Sequence, residues 1–177
     1  MSFEDVQFSG SHLRKGGGIM QVGQRDKLLT LVRDTAKKFE IEPEMLDAIV
    51  TKESTYDPYA MQYEPDFIWL STPSKFAAAN KTSVEFETEL QKTSLGLCQI
   101  MGGTARDAGH KGHLVRLFEP KANLTISCQH IRRLQKRYSK LEDIISAYNA
   151  GSVRMKDNQY SNQDYVDSVL DWMRKLR

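Results

Sequence analysis

Apolar residues recur at helical spacing along most of the chain, and this periodicity constrains its fold more than any other feature. A first stripe after Gln24 is formed by Leu28, Leu29, Val32, Ala36 and Phe39. Stripes of the same 3.6-residue period follow Pro43, Pro120 and Ser139, and another occupies Tyr165–Met173. An apolar stripe of this kind must be buried against a neighbouring element. The sequence therefore predicts a mainly α-helical protein.

Length and composition indicate a globular chain with one packed core. The 177 residues are 40% hydrophobic and 27% charged, proportions typical of globular proteins and not of disordered ones. No run of about 18 apolar residues is present, and the first ten residues show no secretory signal. Residues 1–23 include Gly16-Gly17-Gly18 and few periodic apolar positions. We expect a flexible N-terminal arm over residues 1–23 and a folded domain over residues 24–177.

An irregular stretch over residues 59–93 interrupts the helical pattern. It is rich in aromatic side chains, among them Tyr59, Tyr63, Phe67 and Trp69. Residues Val84–Leu90 alternate between apolar and polar types, which favours a strand. Thr82 and Glu85, however, have the spacing of a capping box at the start of a helix. The sequence predicts a small irregular or β insert here and leaves strand and helix open for residues 84–90.

One carboxylate stands where the helical pattern calls for an apolar residue. The stripe that contains Leu46 and Ile49 continues to Glu53. Burial and the negative end of the helix dipole would both raise the pKa of this side chain. A glutamic acid that keeps its proton near neutral pH is suited to general acid catalysis. The alternative is a glutamate at a frayed helix end that reaches solvent or pairs with a lysine or arginine.

Three short segments resemble the signatures of a known family. They are Glu53-Ser54 with Asp57-Pro58, then Gly96-Leu97-Cys98-Gln99-Ile100-Met101, then Ala147-Tyr148-Asn149-Ala150-Gly151. In this order they resemble the signature segments of the lytic transglycosylase SLT domain, a branch of the goose-type lysozyme superfamily. The resemblance covers about residues 24–172, with lesser matches that include Tyr165-Val166. It implies a lysozyme-like helical domain whose cleft opens beside the helix that ends at Glu53.

The resemblance also implies roles for individual residues. Glu53 would be the single catalytic acid and base, and Ser54 beside it would contact the substrate. Gln99 and Met101 would line the cleft near the scissile bond, while Asn149 would shape its floor. Tyr148 would lie beside the catalytic carboxylate, with its hydroxyl available to orient it. From the insert, Tyr63 and Glu64 are candidate substrate-binding residues on a cleft wall.

The implied reaction is cleavage of the β-1,4 bond between N-acetylmuramic acid and N-acetylglucosamine in peptidoglycan. Glu53 would protonate the glycosidic oxygen and then deprotonate the muramic 6-hydroxyl, which closes a 1,6-anhydro ring. Two alternatives stay open. The protein could be a hydrolytic lysozyme that uses a second carboxylate, such as Glu64, to activate water. It could also be a non-catalytic module that binds glycan or nucleic acid through its aromatic residues and the basic cluster of residues 132–137.

Some positions depart from the family pattern. Gln62 stands where many relatives carry a small hydroxyl residue, and Gly102 stands where proline is usual. Cys98 replaces the more common methionine or phenylalanine. Within the insert, Tyr63-Glu64-Pro65 resembles a variant found among phage and prophage cell-wall enzymes.

Further predictions concern cofactors, partners and location. We expect no cofactor and no metal, because His110, His113 and His130 fit a loop and a helix face better than a zinc site. Cys98 and Cys128 are expected to be buried. The net charge of +2 does not indicate nucleic acid. Peptidoglycan strands are the expected partner of a monomer that acts in the cell wall or periplasm. Since no signal is visible, phage-type release, virion association or a trimmed leader would account for that location.

Overall fold

The computed structural model describes residues 22–177, and α-helices predominate in this part of the chain. The helices are α1 (Val22–Lys38), α2 (Pro43–Ser54), α3 (Pro73–Asn80), α4 (Val84–Gln91), α5 (Gly102–Ala108), α6 (Pro120–Arg137), α7 (Leu141–Ala150) and α8 (Gln163–Leu176). A 3₁₀ helix covers Leu114–Phe118. The mainly α prediction is confirmed. The arm expected over residues 1–23 lies outside the described residues, except for its last two positions, which belong to α1.

Short strands complete the structure. The strands are β1 (Met61–Tyr63), β2 (Thr93–Leu95), β3 (Ile100–Met101), β4 (Met155–Lys156) and β5 (Gln159–Tyr160). The first three form an antiparallel sheet in the order β1-β2-β3, with Gln62 opposite Ser94 and Ser94 opposite Met101. The last two form a hairpin. The sheet joins the insert to the turn that carries Gln99.

Helix α2 lies at the centre of the main core. Its residues Met45–Val50 are each at most 2% exposed, because α1 and α8 pack against it. The apolar stripes predicted for the other long helices are buried around it, in particular Val32, Ala36, Leu124, Ile131, Val166 and Val169. A second, smaller core beneath the sheet contains Leu95, Ile100, Leu114 and Leu117. Glu53 is therefore carried by the best-buried helix of the fold.

The insert is more helical than its alternating sequence suggested. Residues 84–90 belong to helix α4, so the strand interpretation is wrong and the helical one is confirmed. The cap is Ser83, whose Oγ accepts a hydrogen bond from the Phe86 amide at 3.1 Å. Thr82 does not act as the cap because its own amide donates to the Ala77 carbonyl at 3.0 Å and closes α3. The sequence therefore correctly indicated a capped helix, but it placed the cap at Thr82, one residue before Ser83.

A buried ion pair fastens the insert to the rest of the fold. The Arg106 Nε and Nη2 atoms of α5 donate to the two carboxylate oxygens of Glu87 in α4, each at 2.8 Å. Both side chains are almost completely buried. Gln91 donates to the same carboxylate at 2.9 Å, and its amide also bonds the Ser71 backbone. Since every charged atom has a partner, the pair holds α4 in one position against α5.

The close packing of α5 against α4 requires a glycine at position 102. A Cβ atom at Gly102 would lie 2.2 Å from the Leu90 carbonyl oxygen at the end of α4. No side chain fits at that distance, so a proline here would displace the insert. The departure from the family pattern at this position is explained by the contact between α4 and the start of α5.

We expect Arg106→Met to lower the free energy of unfolding by about 3–5 kcal/mol, because it leaves the buried Glu87 carboxylate without its counter-charge. Urea unfolding followed by circular dichroism measures this change. The matched control is Arg116→Met, which breaks the exposed pair with Glu119 and should cost no more than about 1 kcal/mol. Equal losses in the two variants would contradict a clamping role for Arg106.

Candidate active site

Glu53 occupies the last turn of α2, at a helix end that the backbone fixes. Thr55 adopts the left-handed conformation with φ of 53°, and its amide returns to the Thr51 carbonyl. Tyr56 follows with φ of 68° and is 2% exposed. Its hydroxyl donates to the buried Asp47 carboxylate at 2.5 Å. These bonds hold the backbone that follows Glu53 in one position.

The Glu53 carboxylate has one direct partner in the described part of the chain. The Tyr165 hydroxyl of α8 donates to Glu53 Oε1 at 2.5 Å. Burial raises the pKa of Glu53, while the Tyr165 hydrogen bond and the positive charge of Lys52 lower it in part. The net effect is a raised pKa, as the sequence led us to expect. The group can therefore carry a proton to higher pH than an ordinary glutamic acid.

The Ser54 side chain hydrogen-bonds the protein backbone. Its Oγ donates to the Leu97 carbonyl at 2.8 Å, and it is absent from the cleft lining. The turn it contacts is also held by the fully buried Asn123, whose side chain bonds the Cys98 amide and the Leu95 carbonyl. These bonds fix the end of α2 against the turn between β2 and β3. We assign Ser54 to this positioning, which differs from the substrate contact expected for it.

Gln99 lines the cleft, but its amide is engaged within the protein. The Nε2 atom donates to the Ala60 and Gly96 carbonyls at 2.8 and 2.9 Å, and Oε1 accepts from Ser94 at 2.9 Å. Both amide hydrogens are thus occupied, and Gln99 itself has a positive φ of 44°. Met101 lines the same cleft from β3. In this arrangement Gln99 shapes the turn, and Met101 offers an apolar surface.

Burial and nearby charges, that of Glu53 among them, raise the pKa of Tyr148, but its hydroxyl makes no hydrogen bond to the Glu53 carboxylate in the described residues. The Tyr148 hydroxyl donates to the Cys98 carbonyl at 2.8 Å, although the ring does line the cleft. Asn149 also lines the cleft and accepts a bond from Asn162 at 2.9 Å. Both sit at the end of α7, which Gly151 terminates with φ of 75°. The hydroxyl that bonds Glu53 comes from Tyr165 instead.

No direct signal in the sequence pointed to the bond between Tyr165 and Glu53. Its ring falls on the apolar stripe of α8, and a tyrosine there is typical of a core residue. Its partner Glu53 is 112 positions away, so no local spacing connects them. Only the packing of α8 on α2 brings the phenol to the carboxylate. The lesser family match at Tyr165-Val166 was the one available hint.

Of the two insert candidates, only Glu64 reaches the cleft. Gln62 and Glu64 line it, and the Gln62 amide donates to Glu64 Oε1 at 2.6 Å. Tyr63 lies between them and is not part of the lining. Side chains alternate along an extended strand, so the residue between two cleft-facing positions faces the other way. Tyr63 instead lies beside Glu89, whose carboxylate raises the pKa of the phenol.

The cleft itself is large and carries both signs of charge. Its volume is about 1030 Å³, and Glu53 opens into it. Arg133, Arg137 and Arg154 line it, and none of these three forms an ion pair within residues 22–177. Burial and the charge of Arg133 lower the pKa of His130 to about 4. An elongated ligand with anionic groups would match this surface.

The remaining candidates from the sequence are the histidines and the two cysteines. Among residues 22–177 no three histidine, cysteine, aspartate or glutamate side chains come together as a metal site. The His110 ring bonds the His113 carbonyl at 3.1 Å. Cys98 and Cys128 are buried free thiols, as predicted.

Comparisons with known proteins point to one family. The family described as the transglycosylase SLT domain matches residues 30–170. The chain is 23% identical over 188 residues to membrane-bound lytic murein transglycosylase C from Yersinia pestis (strain Pestoides F). The same values hold for the protein of that name from Yersinia pseudotuberculosis serotype O:1b (strain IP 31758). In both cases the alignment covers 98% of this chain and 42% of the relative.

We expect the raised pKa of Glu53 to appear in the stability of the protein. The partly buried Glu53 carboxyl group is costly to ionise. The stability that its protonated form contributes is therefore fully present at pH values below the pKa of an unfolded glutamate. It is lost as pH rises through the folded pKa. Glu53→Gln should therefore gain stability relative to wild type over that window. Urea unfolding at a series of pH values measures the difference, with Glu142→Gln as the exposed control.

Tyr165→Phe should raise the pKa of Glu53 further, because the variant loses a donor that favours the ionised form. Carbon-13 NMR titration of the glutamate carboxyl groups measures this shift. Tyr160→Phe is the matched control, since it removes a phenol bond to Asp143 of similar length, 2.6 Å. A Glu53 titration that is the same in Tyr165→Phe as in wild type would contradict the assigned role.

Proposed function

The chain belongs to the transglycosylase SLT domain family, and we propose that it cleaves the β-1,4 bond between N-acetylmuramic acid and N-acetylglucosamine in peptidoglycan. The observation that carries this proposal is the Glu53 carboxyl group. It is half-buried with a raised pKa, is bonded by Tyr165, and opens into a large cleft. Both named relatives are lytic murein transglycosylases. The chain spans 42% of the length of each relative, so the activity is proposed for this chain and not taken over from the whole relative.

In the proposed reaction Glu53 acts first as an acid and then as a base. Its proton passes to the glycosidic oxygen as the bond to the anomeric carbon breaks. The carboxylate then accepts the proton of the muramic 6-hydroxyl, whose oxygen attacks the anomeric carbon and closes the 1,6-anhydro ring. Tyr165 supports the second half of this cycle, because its hydroxyl donates to the ionised carboxylate. No water is consumed, and Glu53 ends with a proton again.

Glu64 does not act as a base in this scheme. A hydrolytic enzyme of the inverting type would need a second carboxylate to activate water, about 6.5–9.5 Å from the acid. The Gln62 amide already donates to one oxygen of this carboxylate, at 2.6 Å. We assign Glu64 to sugar binding on the insert side of the cleft. Met101 and Asn149 are also assigned to sugar binding.

The proposed partner is the peptidoglycan strand, and the proposed site of action is the cell wall or periplasm. Arg133, Arg137 and Arg154 support this choice, since stem peptides carry carboxylates that these side chains can bind. In the described residues no helix has the length and hydrophobicity needed to cross a bilayer. Action as a monomer and the absence of a nucleic acid partner stay predictions.

Glu53→Gln should fold normally and clear a suspension of cell walls about 10²–10⁴-fold more slowly than wild type, because the general acid is lost. Wild-type activity should fall on the alkaline side as Glu53 loses its proton. Turbidity assays measure both effects. Mass spectrometry of the wild-type products should show 1,6-anhydro ends, which are one water lighter than reducing ends.

Glu64→Gln is the matched control for this experiment. It should slow clearing less than Glu53→Gln and leave the anhydro ends unchanged. Reducing ends from the wild type that disappear in Glu64→Gln would instead identify a hydrolytic lysozyme with two carboxylates. Wild-type clearing rates in Glu53→Gln would refute the assignment of the acid.

A further inference from the structure

We propose that Trp69, with Phe67 at its edge, is a stacking platform for one pyranose ring of the glycan strand. The proposal rests on the function proposed above and adds a binding site that the family signatures do not include. Trp69 lines the same cleft as Glu53 and is 61% exposed. Phe67 lines it too, and the two rings meet edge to face with centroids 5.7 Å apart. A large aromatic surface left open in a polar cleft points to a ligand.

The chemistry of the ring selects the ligand. One face of a β-linked pyranose consists mainly of C–H groups, whereas its hydroxyls project around the rim. An indole ring offers a flat apolar surface with a negative face, which suits those C–H groups. The surrounding cleft supplies Glu64, Asp66 and Asp107 for the hydroxyl groups at the rim. A pyranose ring therefore matches both parts of this surface.

The platform is held rigidly, as a preformed site requires. The segment begins where the Glu64 amide bonds the Lys92 carbonyl at 2.8 Å, next to the β1–β2 pairing. It ends at Ser71, whose amide and carbonyl both bond the fully buried Gln91 side chain. Gln91 is in turn bonded to the Glu87 carboxylate, the partner of Arg106. The buried ion pair thus fixes the loop that carries the tryptophan.

Close contact with α5 fixes the middle of the same loop. A Cβ atom at Gly103 would lie 2.6 Å from the Trp69 carbonyl oxygen and 2.8 Å from Phe67 Cε1. The loop therefore rests directly on the backbone of α5. A side chain this exposed is usually mobile, but here its backbone lies against α5 and the loop is hydrogen-bonded at both ends. Less entropy is lost on binding when the surface is already in place.

Other exposed apolar side chains do not share this position. Ile68 is 74% exposed and adjacent to Trp69, yet it is not part of the cleft lining. Tyr59 and Met61 are exposed outside it as well. The neighbour Ile68 therefore provides a control of similar exposure on the same loop.

Tryptophan fluorescence can test the platform directly. The described residues contain Trp69 and Trp172, and the latter lies on α8 away from the cleft. In a Trp172→Phe, Glu53→Gln background, Trp69 is the sole tryptophan and the glycan stays intact. Titration with glycan strands freed of stem peptides should change the Trp69 emission and saturate. The same protein with Ile68→Ala should give the same curve.

Affinity measured by calorimetry then compares the variants in that background. Trp69→Ala should bind the strands about tenfold more weakly, Trp69→Phe should lose less, and Ile68→Ala should not change. Equal affinity of Trp69→Ala and the background protein would overturn the proposal. It would also be overturned if the emission of Trp69 changed with protein concentration instead of glycan, since that would indicate contact between copies of the chain.

Clearing assays keep this proposal separate from the proposed function. Suppose that protein with native Glu53 and Trp69 clears cell walls, whereas the Trp69→Ala variant binds glycan strands normally. Only the proposal of a stacking platform is then wrong. If protein with native Glu53 and Trp69 neither clears walls nor releases fragments, the proposed function fails. Saturable quenching of Trp69 by glycan would still support the platform in that case.

Discussion

The hydrogen bond between Tyr165 and Glu53 joins the two helices on which the site depends. Helix α2 is buried on nearly every side, and its last turn delivers a carboxyl group into the wall of a cleft. Burial alone would make ionisation of that group costly. The phenol of α8 offsets part of this cost, because its hydrogen bond lowers the pKa of Glu53 in part. The proposed role of Glu53 as acid and then base depends on this balance.

A second set of buried polar contacts positions the opposite side of the cleft. The Glu87–Arg106 pair, extended by Gln91, holds the insert against α5 and fixes the loop that ends at Ser71. A buried ion pair adds little net stability, but it allows few alternative geometries. The hydrogen bonds of Asn123 and Ser54 likewise hold the turn between β2 and β3 in one geometry. The cleft is thus bordered by elements whose positions are set by hydrogen bonds to buried groups.

Sequence patterns were reliable where the deciding interactions are local. Helical periodicity found the long helices, because a stripe of apolar residues depends on neighbours three and four positions apart. The anomaly at Glu53 stood out against that stripe for the same reason. The alternation over residues 84–90 misled, since an eight-residue helix shows too few turns for its period to be clear. Tyr63 was placed in the cleft although the alternation of side chains along β1 directs it away.

The sequence by itself determined the mainly helical fold, the likeness to the SLT signatures and the unusual position of Glu53. Tertiary structure alone decided which hydroxyl bonds that carboxylate, namely Tyr165 and not Tyr148. It also decided that Gln99 serves the turn and that Trp69 faces the cleft. The physical reason is that a hydrogen bond depends on atoms within about 3 Å. That proximity arises from the packing of α8 on α2 and of the insert on α5, which no spacing along the chain specifies.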